Sequence, residues 1–292
     1  MAILVSRDTR LLVVGISGRY ARNQVREMLE YGSKVVAGVT LGRGGETVDG
    51  VPVYDTVREA LQQHAVEAAL LYVPAPAARE AAVEVLEAGI RLAIIVTEGV
   101  PVQDTAYIRA LAEECGAWVV GPNTAGLITP GQCLAGSIAP SYTMPGPVGL
   151  LSRSGTLAFE VARSLTEAGL GQSTVVAIGG DAVIGKNPAA YLQAFEDDPE
   201  TEAVVLLGEV GGHKEHEAAV TISRMTKPVV ALIVGRSVPA GKTMGHAGAL
   251  IAREDQGAEA KERALRSAGC LIADTLWDIP PLVSQALAGR AR

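Results

Sequence analysis

Short apolar, β-branched runs recur through the first 121 residues: "LLVVG" (11–15), "KVVAGV" (34–39), "EAALLYV" (67–73), "RLAIIVT" (91–97) and "AWVVG" (117–121). The gaps hold stretches of helical spacing such as "AAREAAVEVLEAG" (77–89), so strands and helices alternate. That alternation predicts a parallel, doubly wound sheet whose ligand crevice lies at the carboxyl ends of the strands. "SYTMPGPVG" (141–149) carries two prolines and two glycines and reads as an inter-domain linker. Beyond it comes a second series: "VGLLS" (148–152), "STVVAIGG" (173–180), "EAVVLLGEVGG" (202–212), "PVVALIVG" (228–235) and "CLIAD" (270–274). The pattern therefore predicts two α/β domains, 1–143 and 144–292, with no short-period repeat or heptad seam.

The segments just after these runs carry the candidate chemistry. After the first comes "GISGRYARNQVREML", in which Gly15 and Gly18 flank a turn and Ser17 can cap a helix, a candidate phosphate site. A dinucleotide fingerprint would have a third glycine and an acidic residue closing the second strand. Here the third position is Ala21 and the second strand runs into "AGVTLGRGG", which disfavours a nicotinamide cofactor. Arg43, between two glycines, suits a bidentate phosphate contact to another nucleotide, such as coenzyme A.

In the second half, "LLSRSGTLAFEVARSL" (150–165) runs from a strand through Ser154, Gly155 and Thr156 into a helix. Free N–H groups and hydroxyls there form either an anion site or a plain N-cap. "AIGGDAVIG" (177–185) can close over the same anion or hold a metal; no metal site is assigned. The next strand ends in Glu209, within "LLGEVGG", placed to accept a hydrogen bond from an imidazole. That imidazole is His246 of "GKTMGHAGAL", one of four histidines in the chain. Nucleophile, orienting carboxylate and phosphate cradle together suit phosphoryl transfer through a phosphohistidine. His213 and His216 read as a solvated helix start, Cys270 as buried and inert, and Trp118 and Trp277 as packing residues.

Composition narrows the class. With 292 residues, 48% hydrophobic, the chain is long enough for two full cores, and only 4% aromatic content leaves Ala, Val, Leu and Ile to build them. A net charge of −7 argues against a nucleic-acid partner, which needs a basic face. Three cysteines without a CxxC pair suggest no disulfide framework and a reducing cytoplasm. "MAILVSRDTR" turns charged after four apolar residues, and the rest of the chain holds no long apolar run. Neither a signal peptide nor a membrane span is expected.

The chain resembles the α subunit of succinate–CoA ligases (succinyl-CoA synthetases) over essentially its whole length. The resemblance rests on "YGSKVVAGVT", "GVPVYDTVREA", "YVPAPAA", "VTEGVP", "SRSGTL", "IGGD", "DPETEAVVLLGEVGG", "TKPVVALIVG" and "MGHAGA". It implies an N-terminal Rossmann-like CoA-binding domain and a C-terminal flavodoxin-like domain. It further implies His246 as the phosphorylated histidine, Glu209 as its carboxylate partner, and Ser154, Gly155 and Thr156 as the phosphate-holding helix start. By position Ser17, Gly18, Arg19 and Arg43 fall in the CoA loops, with Tyr72, Val73 and Pro74 near CoA and Asn123 and Thr124 beside the acyl-transfer region. The implied reaction turns an acid, CoA and ATP or GTP with Mg²⁺ into acyl-CoA through phosphohistidine and acyl phosphate, as in the tricarboxylic acid cycle. The nucleotide would sit on an ATP-grasp β subunit, in a heterodimer or heterotetramer.

Some positions depart from the family pattern. Ala21, Asn23 and Gln24 stand where Gly, Phe and His are usual; "LGRGG" replaces "PGKGG", and "NTAG" replaces "NCPG". Ala240 and Thr243 replace two basic residues before "MGHAGA". Malate- and citrate-activating relatives share the scaffold, so a ligase for another small carboxylic acid is one alternative. A non-catalytic CoA-binding subunit is a second, and a Rossmann oxidoreductase a third.

Overall fold

The computed structural model describes residues 3–239, 241 and 245–290, so Ala240 and Thr243 lie outside the described residues. The first sheet contains β1 (Arg10–Val14), β2 (Lys34–Val39), β3 (Thr47–Val48), β4 (Val51–Tyr54), β5 (Ala68–Leu71), β6 (Leu92–Ile95) and β7 (Trp118–Val120). Their order is β3-β4-β2-β1-β5-β6-β7, parallel except for the β3–β4 hairpin at the edge. Helices α1 (Arg19–Glu30), α2 (Val57–Gln63), α3 (Ala78–Glu87) and α4 (Val102–Glu114) make the crossovers. The six parallel strands have the Rossmann order, which reverses between β1 and β5.

The second sheet is built from β8 (Gly126–Thr129), β9 (Cys133–Gly136), β10 (Pro145–Ser152), β11 (Gln172–Ala177), β12 (Ala203–Glu209), β13 (Val229–Val234) and β14 (Leu271–Ile272). It is ordered β14-β13-β12-β10-β11-β8-β9. Its helices are α5 (Gly155–Glu167), α6 (Pro188–Asp197), α7 (Lys214–Ile222), α8 (Ala258–Ser267) and α9 (Ile279–Arg290). The five parallel strands are doubly wound in the flavodoxin-like order, with the switch point between β10 and β12. β5, β6, β11 and β12 are buried along their whole length. Helices cover both faces of these sheets, which is why the strands read as unbroken apolar runs rather than alternating ones.

The expected linker at 141–149 is not one. Pro145 to Ser152 is a strand, and only a 3₁₀ turn at Pro140–Tyr142 precedes it. The sheets change over between Val120 and Gly126, because the antiparallel β8–β9 hairpin pairs with β11 and belongs to the second sheet. Gly126 and Gly136 make that pairing close: a Cβ on Gly126 would lie 2.1 Å from the Ala135 carbonyl oxygen. The hairpin also docks on the first half. Ser33 Oγ donates to the Leu134 carbonyl at 2.8 Å and accepts from the Leu134 N–H at 2.8 Å, and the Gly131 N–H donates to the Tyr31 hydroxyl. One apolar core accordingly runs from Leu70 and Val120 through Leu127 and Leu134 to Val176 and Leu206.

Candidate functional site

Three glycine-bearing loops meet at the carboxyl ends of β10, β11 and β12, beside the switch point. His246 lies on the long connection after β13, and its neighbour Gly248 donates from its N–H to the Gly180 carbonyl at 3.1 Å. The imidazole packs directly on Gly180, where an added Cβ would stand 2.4 Å from His246 Cγ and Cδ2. A Cβ on Gly248 would meet the Arg153 guanidinium at 2.6 Å, and one on Gly211 would meet the Gly248 carbonyl at 2.4 Å. The glycines are what let a ring, a guanidinium and two backbones share this space.

His246 Nδ1 is 2.8 Å from Glu209 Oε2. The Glu209 side chain is 3% exposed and that of His246 27%. The pairing fixes which ring nitrogen is engaged: Nδ1 faces the carboxylate, and Nε2 has no hydrogen-bond partner among the described residues. The hydrogen bond to Glu209 lifts the imidazole above its ordinary 6.5, against the opposing effect of burial. Gly180→Ala is expected to push the ring off Glu209 and return its titration toward 6.5. A histidine NMR titration of the variant checks this.

Glu209 is itself held from behind. Its Oε1 makes a 3.0 Å ion pair with Arg153 Nη2, and Arg153 Nη1 reaches Glu215 Oε1 at 3.4 Å. Glu215 Oε2 pairs with Lys261 Nζ, which also donates to the backbone carbonyl of Glu209 at 2.8 Å. All four side chains are within 3% of full burial. Burial raises the Glu215 carboxyl, but Arg153 and Lys261 outweigh it and hold that group below the usual carboxylate range. Neither Glu215 nor Lys261 is singled out by sequence. The available signal is the apolar periodicity of α7 and α8, which buries a glutamate and a lysine on their inner faces.

The start of α5 lies one residue beyond Arg153. Ser154 is the N-cap, its hydroxyl accepting from the Leu157 N–H at 3.4 Å, and Gly155 and Thr156 open the helix with no acidic residue in the first turn. Asn123, at φ +57°, donates from Nδ2 to Asp181 Oδ1 at 3.1 Å, and its carbonyl accepts from the Gly180 N–H. Thr124 is buried and its hydroxyl donates to the Ala177 carbonyl. Both therefore stand against the loop that carries the imidazole's floor. Lys214 Nζ clamps the same loop through the Asp181 and Ala182 carbonyls, and burial, followed by Arg153, pulls its ammonium down to about 8.

A second crevice opens at the other switch point. A cavity of about 490 Å³ is lined by Gly15, Ser17, Gly18, Tyr72, Val73 and Pro74, with Asp55, Glu80 and Glu84 at its walls. Gly15, at φ +81°, lies so near β5 that a Cβ would be 2.7 Å from the Tyr72 carbonyl oxygen. Gly18 caps α1 with no side-chain bond, leaving the first-turn N–H groups open to an anion. Ser17 Oγ pairs with Thr40 Oγ1 at 3.1 Å. Arg19 is exposed on the first turn of α1. Arg43 does not line the cavity: its backbone N–H donates to Asp55, while its guanidinium pairs with Glu46 at 3.2 Å.

Outside these crevices, His213 is the exposed N-cap of α7 and stacks edge-on with His216 at 5.7 Å. No group of three metal-ligating side chains is found among the described residues. Burial pushes the Cys270 thiol up to about 12, and Trp118 packs edge-on against Tyr191. Trp277, expected to be a packing residue, is 72% exposed on a 3₁₀ turn before α9. No helix among the described residues is long and apolar enough to cross a membrane.

Comparison with known proteins adds to this geometry. The profile of the CoA binding domain matches residues 6–99, and that of the CoA-ligase domain matches residues 151–271. The chain is 46% identical to the succinate–CoA ligase [ADP-forming] subunit alpha 2 of Archaeoglobus fulgidus, over 98% of this chain and 100% of that one. It is 48% identical to the corresponding alpha subunit of Methanothermobacter thermautotrophicus, over 93% of this chain and 92% of that one. Among solved structures it is similar to ATP citrate lyase from Methanothrix soehngenii in complex with citrate and coenzyme A, with a TM-score of 0.91 and 27% identity. That match covers 98% of this chain and 50% of the lyase chain.

Proposed function

The chain belongs to the family of succinate–CoA ligase α subunits, and from that membership we propose that it is the phosphoryl-accepting, CoA-binding subunit of an ADP- or GDP-forming acid–CoA ligase. The observation that carries this reading is the 2.8 Å contact of His246 Nδ1 with the buried Glu209 carboxylate, which leaves Nε2 free to act as nucleophile.

The phosphorylation step uses groups of this chain in defined roles. Nε2 attacks the terminal phosphorus of the nucleoside triphosphate, the bond to the diphosphate breaks, and the Nδ1 proton stays hydrogen-bonded to Glu209. The imidazolium-like ring that results is stabilised by that carboxylate, as in other histidine–carboxylate pairs. The Gly155 and Thr156 N–H groups at the start of α5, which the Ser154 cap on Leu157 leaves open, are suited to the phosphoryl oxygens, with the Thr156 hydroxyl beside them. A carboxylate oxygen of the acid then takes the phosphoryl group from Nε2. The CoA thiolate attacks the resulting acyl phosphate at its carbonyl carbon and expels phosphate.

The residues at the first crevice fit CoA. Gly18 and the start of α1 offer N–H groups to phosphates, with Arg19 and Arg22 nearby. The buried Tyr72 hydroxyl has no partner among the described residues, the kind of atom a ligand's polar group would satisfy. The α-subunit names of the relatives imply a β partner, and in this reading that partner is an ATP-grasp subunit holding the nucleotide and its Mg²⁺. Succinate is the acid those names carry. The citrate-bound lyase, which shares the fold at 27% identity, favours testing larger acids beside it.

The test is intact-mass spectrometry of the chain with its β partner and ATP or GTP, followed by tandem analysis of the peptide containing His246. An acid-labile phosphoryl group on His246, discharged by CoA only with an acid from a panel of succinate, malate and citrate, is expected. A stable complex that binds nucleotide and acquires no phosphoryl group would instead favour the non-catalytic CoA-binding subunit.

A further inference from the structure

Behind Glu209 the side chains form a closed ring of alternating charge. Glu209 pairs with Arg153 at 3.0 Å, Arg153 with Glu215 at 3.4 Å, and Glu215 with Lys261. Lys261 returns to the Glu209 backbone carbonyl at 2.8 Å, and the Glu209 N–H donates to Glu215 Oε1 at 3.3 Å. Two cations and two anions are thus removed from water together, with net charge zero. Desolvating four ions is unfavourable, and well-packed apolar residues would serve stability equally well. Among the described residues, the ring meets the partly exposed imidazole of His246 through the Glu209 carboxylate.

We propose that Lys261 and Glu215 are positioning residues for His246, a buried charge-balancing pair that sets the field on the Glu209–His246 unit while Lys261 anchors the backbone from which Glu209 projects. The proposal rests on the reading of His246 as phosphoryl acceptor and extends it to two residues on α7 and α8 that do not touch the ring.

The charged groups facing the imidazole come from every element around it. Glu209 stands at the end of β12, Arg153 at the end of β10 and Asp181 on the loop under the ring. Lys214 and Glu215 come from α7, and Lys261 from α8. Lys214 is committed to the Asp181 and Ala182 carbonyls. Removing the Lys261 cation leaves the ring one negative charge in excess, and the group best able to take up a proton near neutrality is the half-buried His246. Removing the Glu215 charge leaves one positive charge in excess and makes that proton easier to lose. The two substitutions therefore act in opposite directions and cancel when combined, whereas loss of packing alone moves all variants the same way.

The experiment is an NMR titration of His246 in the full chain, its resonance assigned with His246→Ala, for wild type, Lys261→Met, Glu215→Gln and the double variant. Lys261→Met is expected to raise the His246 midpoint by about one pH unit and Glu215→Gln to lower it by about as much, with the double variant within about 0.3 of wild type. Shifts of the same sign in the two single variants, or none above about 0.2 in folded protein, overturn the proposal. If one single variant does not fold, the other decides: a shift of its expected sign above about 0.2 supports charge balance, and a shift of the opposite sign or none overturns it. Phosphorylation by ATP or GTP with the β partner is measured in parallel. Opposite midpoint shifts in a chain that never accepts a phosphoryl group support the charge coupling and refute the phosphohistidine reading.

Discussion

His246→Ala, assembled with a β subunit and given nucleoside triphosphate, is expected to accept phosphoryl groups at least about 10⁴-fold more slowly than wild type, which in practice is no detectable phosphoprotein. No other described nucleophile is placed to substitute. His213 and His216 lie at the start of α7, and the buried thiol of Cys270 is pushed up to about 12, far from the thiolate that would react. Binding at the first crevice should be unchanged, because Gly15, Gly18 and Tyr72 sit on the other sheet. Stability should respond with a particular pH dependence. The folded-state titration of His246 is raised above 6.5, so the contribution of its pair with Glu209 is fully present below about pH 6.5 and is lost as pH rises through the raised value. Denaturant unfolding of the variant and wild type should differ more at pH 6 than at pH 9. Wild-type phosphorylation in the variant would remove His246 from the chemistry.

Most parallel strands were legible because burial on both faces makes them apolar runs, and each β-branched run quoted from the sequence coincides with a strand of one sheet or the other; parallel β4, short and of alternating burial, was not among them. Two further features were not legible. The β8–β9 hairpin hides because "GLITPGQCLAG" offers glycines at both ends, and a glycine that permits close backbone pairing has the same letter as one that ends a strand. Pro145 and Pro147 read as linker because prolines lack the ladder N–H. Yet β10 begins with them at a register irregularity, where fewer ladder bonds are required.

Of the candidate site, Glu209 and the loop of Gly180 could be read because they end strands, where position in the sequence fixes position in the fold, and His246 because glycines flank it in the connection after β13. Arg153 was visible only as part of a helix-start motif, and Glu215 and Lys261 not at all. A charge on a helix's inner face looks in sequence like any surface charge until the register of α7 against α8 is known. Arg43 illustrates the converse. A glycine-flanked arginine after a strand suits a phosphate, and in the fold its guanidinium is paired with Glu46.

Glu209→Gln should slow phosphorylation of His246 by about 10²- to 10³-fold while leaving the chain folded. The reason is a choice of direction forced by Arg153. A glutamine in this place has one acceptor and one donor end, and Arg153 Nη2, 3.0 Å from Oε1, can face only the acceptor. The amide NH₂ then points at His246 Nδ1, which must become an acceptor, and the ring proton moves to Nε2, the atom that has to attack. The enzyme would hold the wrong tautomer as well as lacking the carboxylate that stabilises the phosphorylated ring. The His246 titration should fall at the same time, since its main raising interaction is gone while burial and Arg153 still depress it. The two effects separate the tautomer from the proton count. A lower midpoint alone would leave more neutral imidazole at pH 7 and would speed attack, so slower phosphorylation together with a lower midpoint is the signature of misdirected Nε2. Rapid-quench phosphorylation across pH 6 to 9, beside the NMR midpoint, makes the comparison. A variant that phosphorylates as fast as wild type, with the midpoint lowered as expected, would show that Glu209 tunes the imidazole without orienting it.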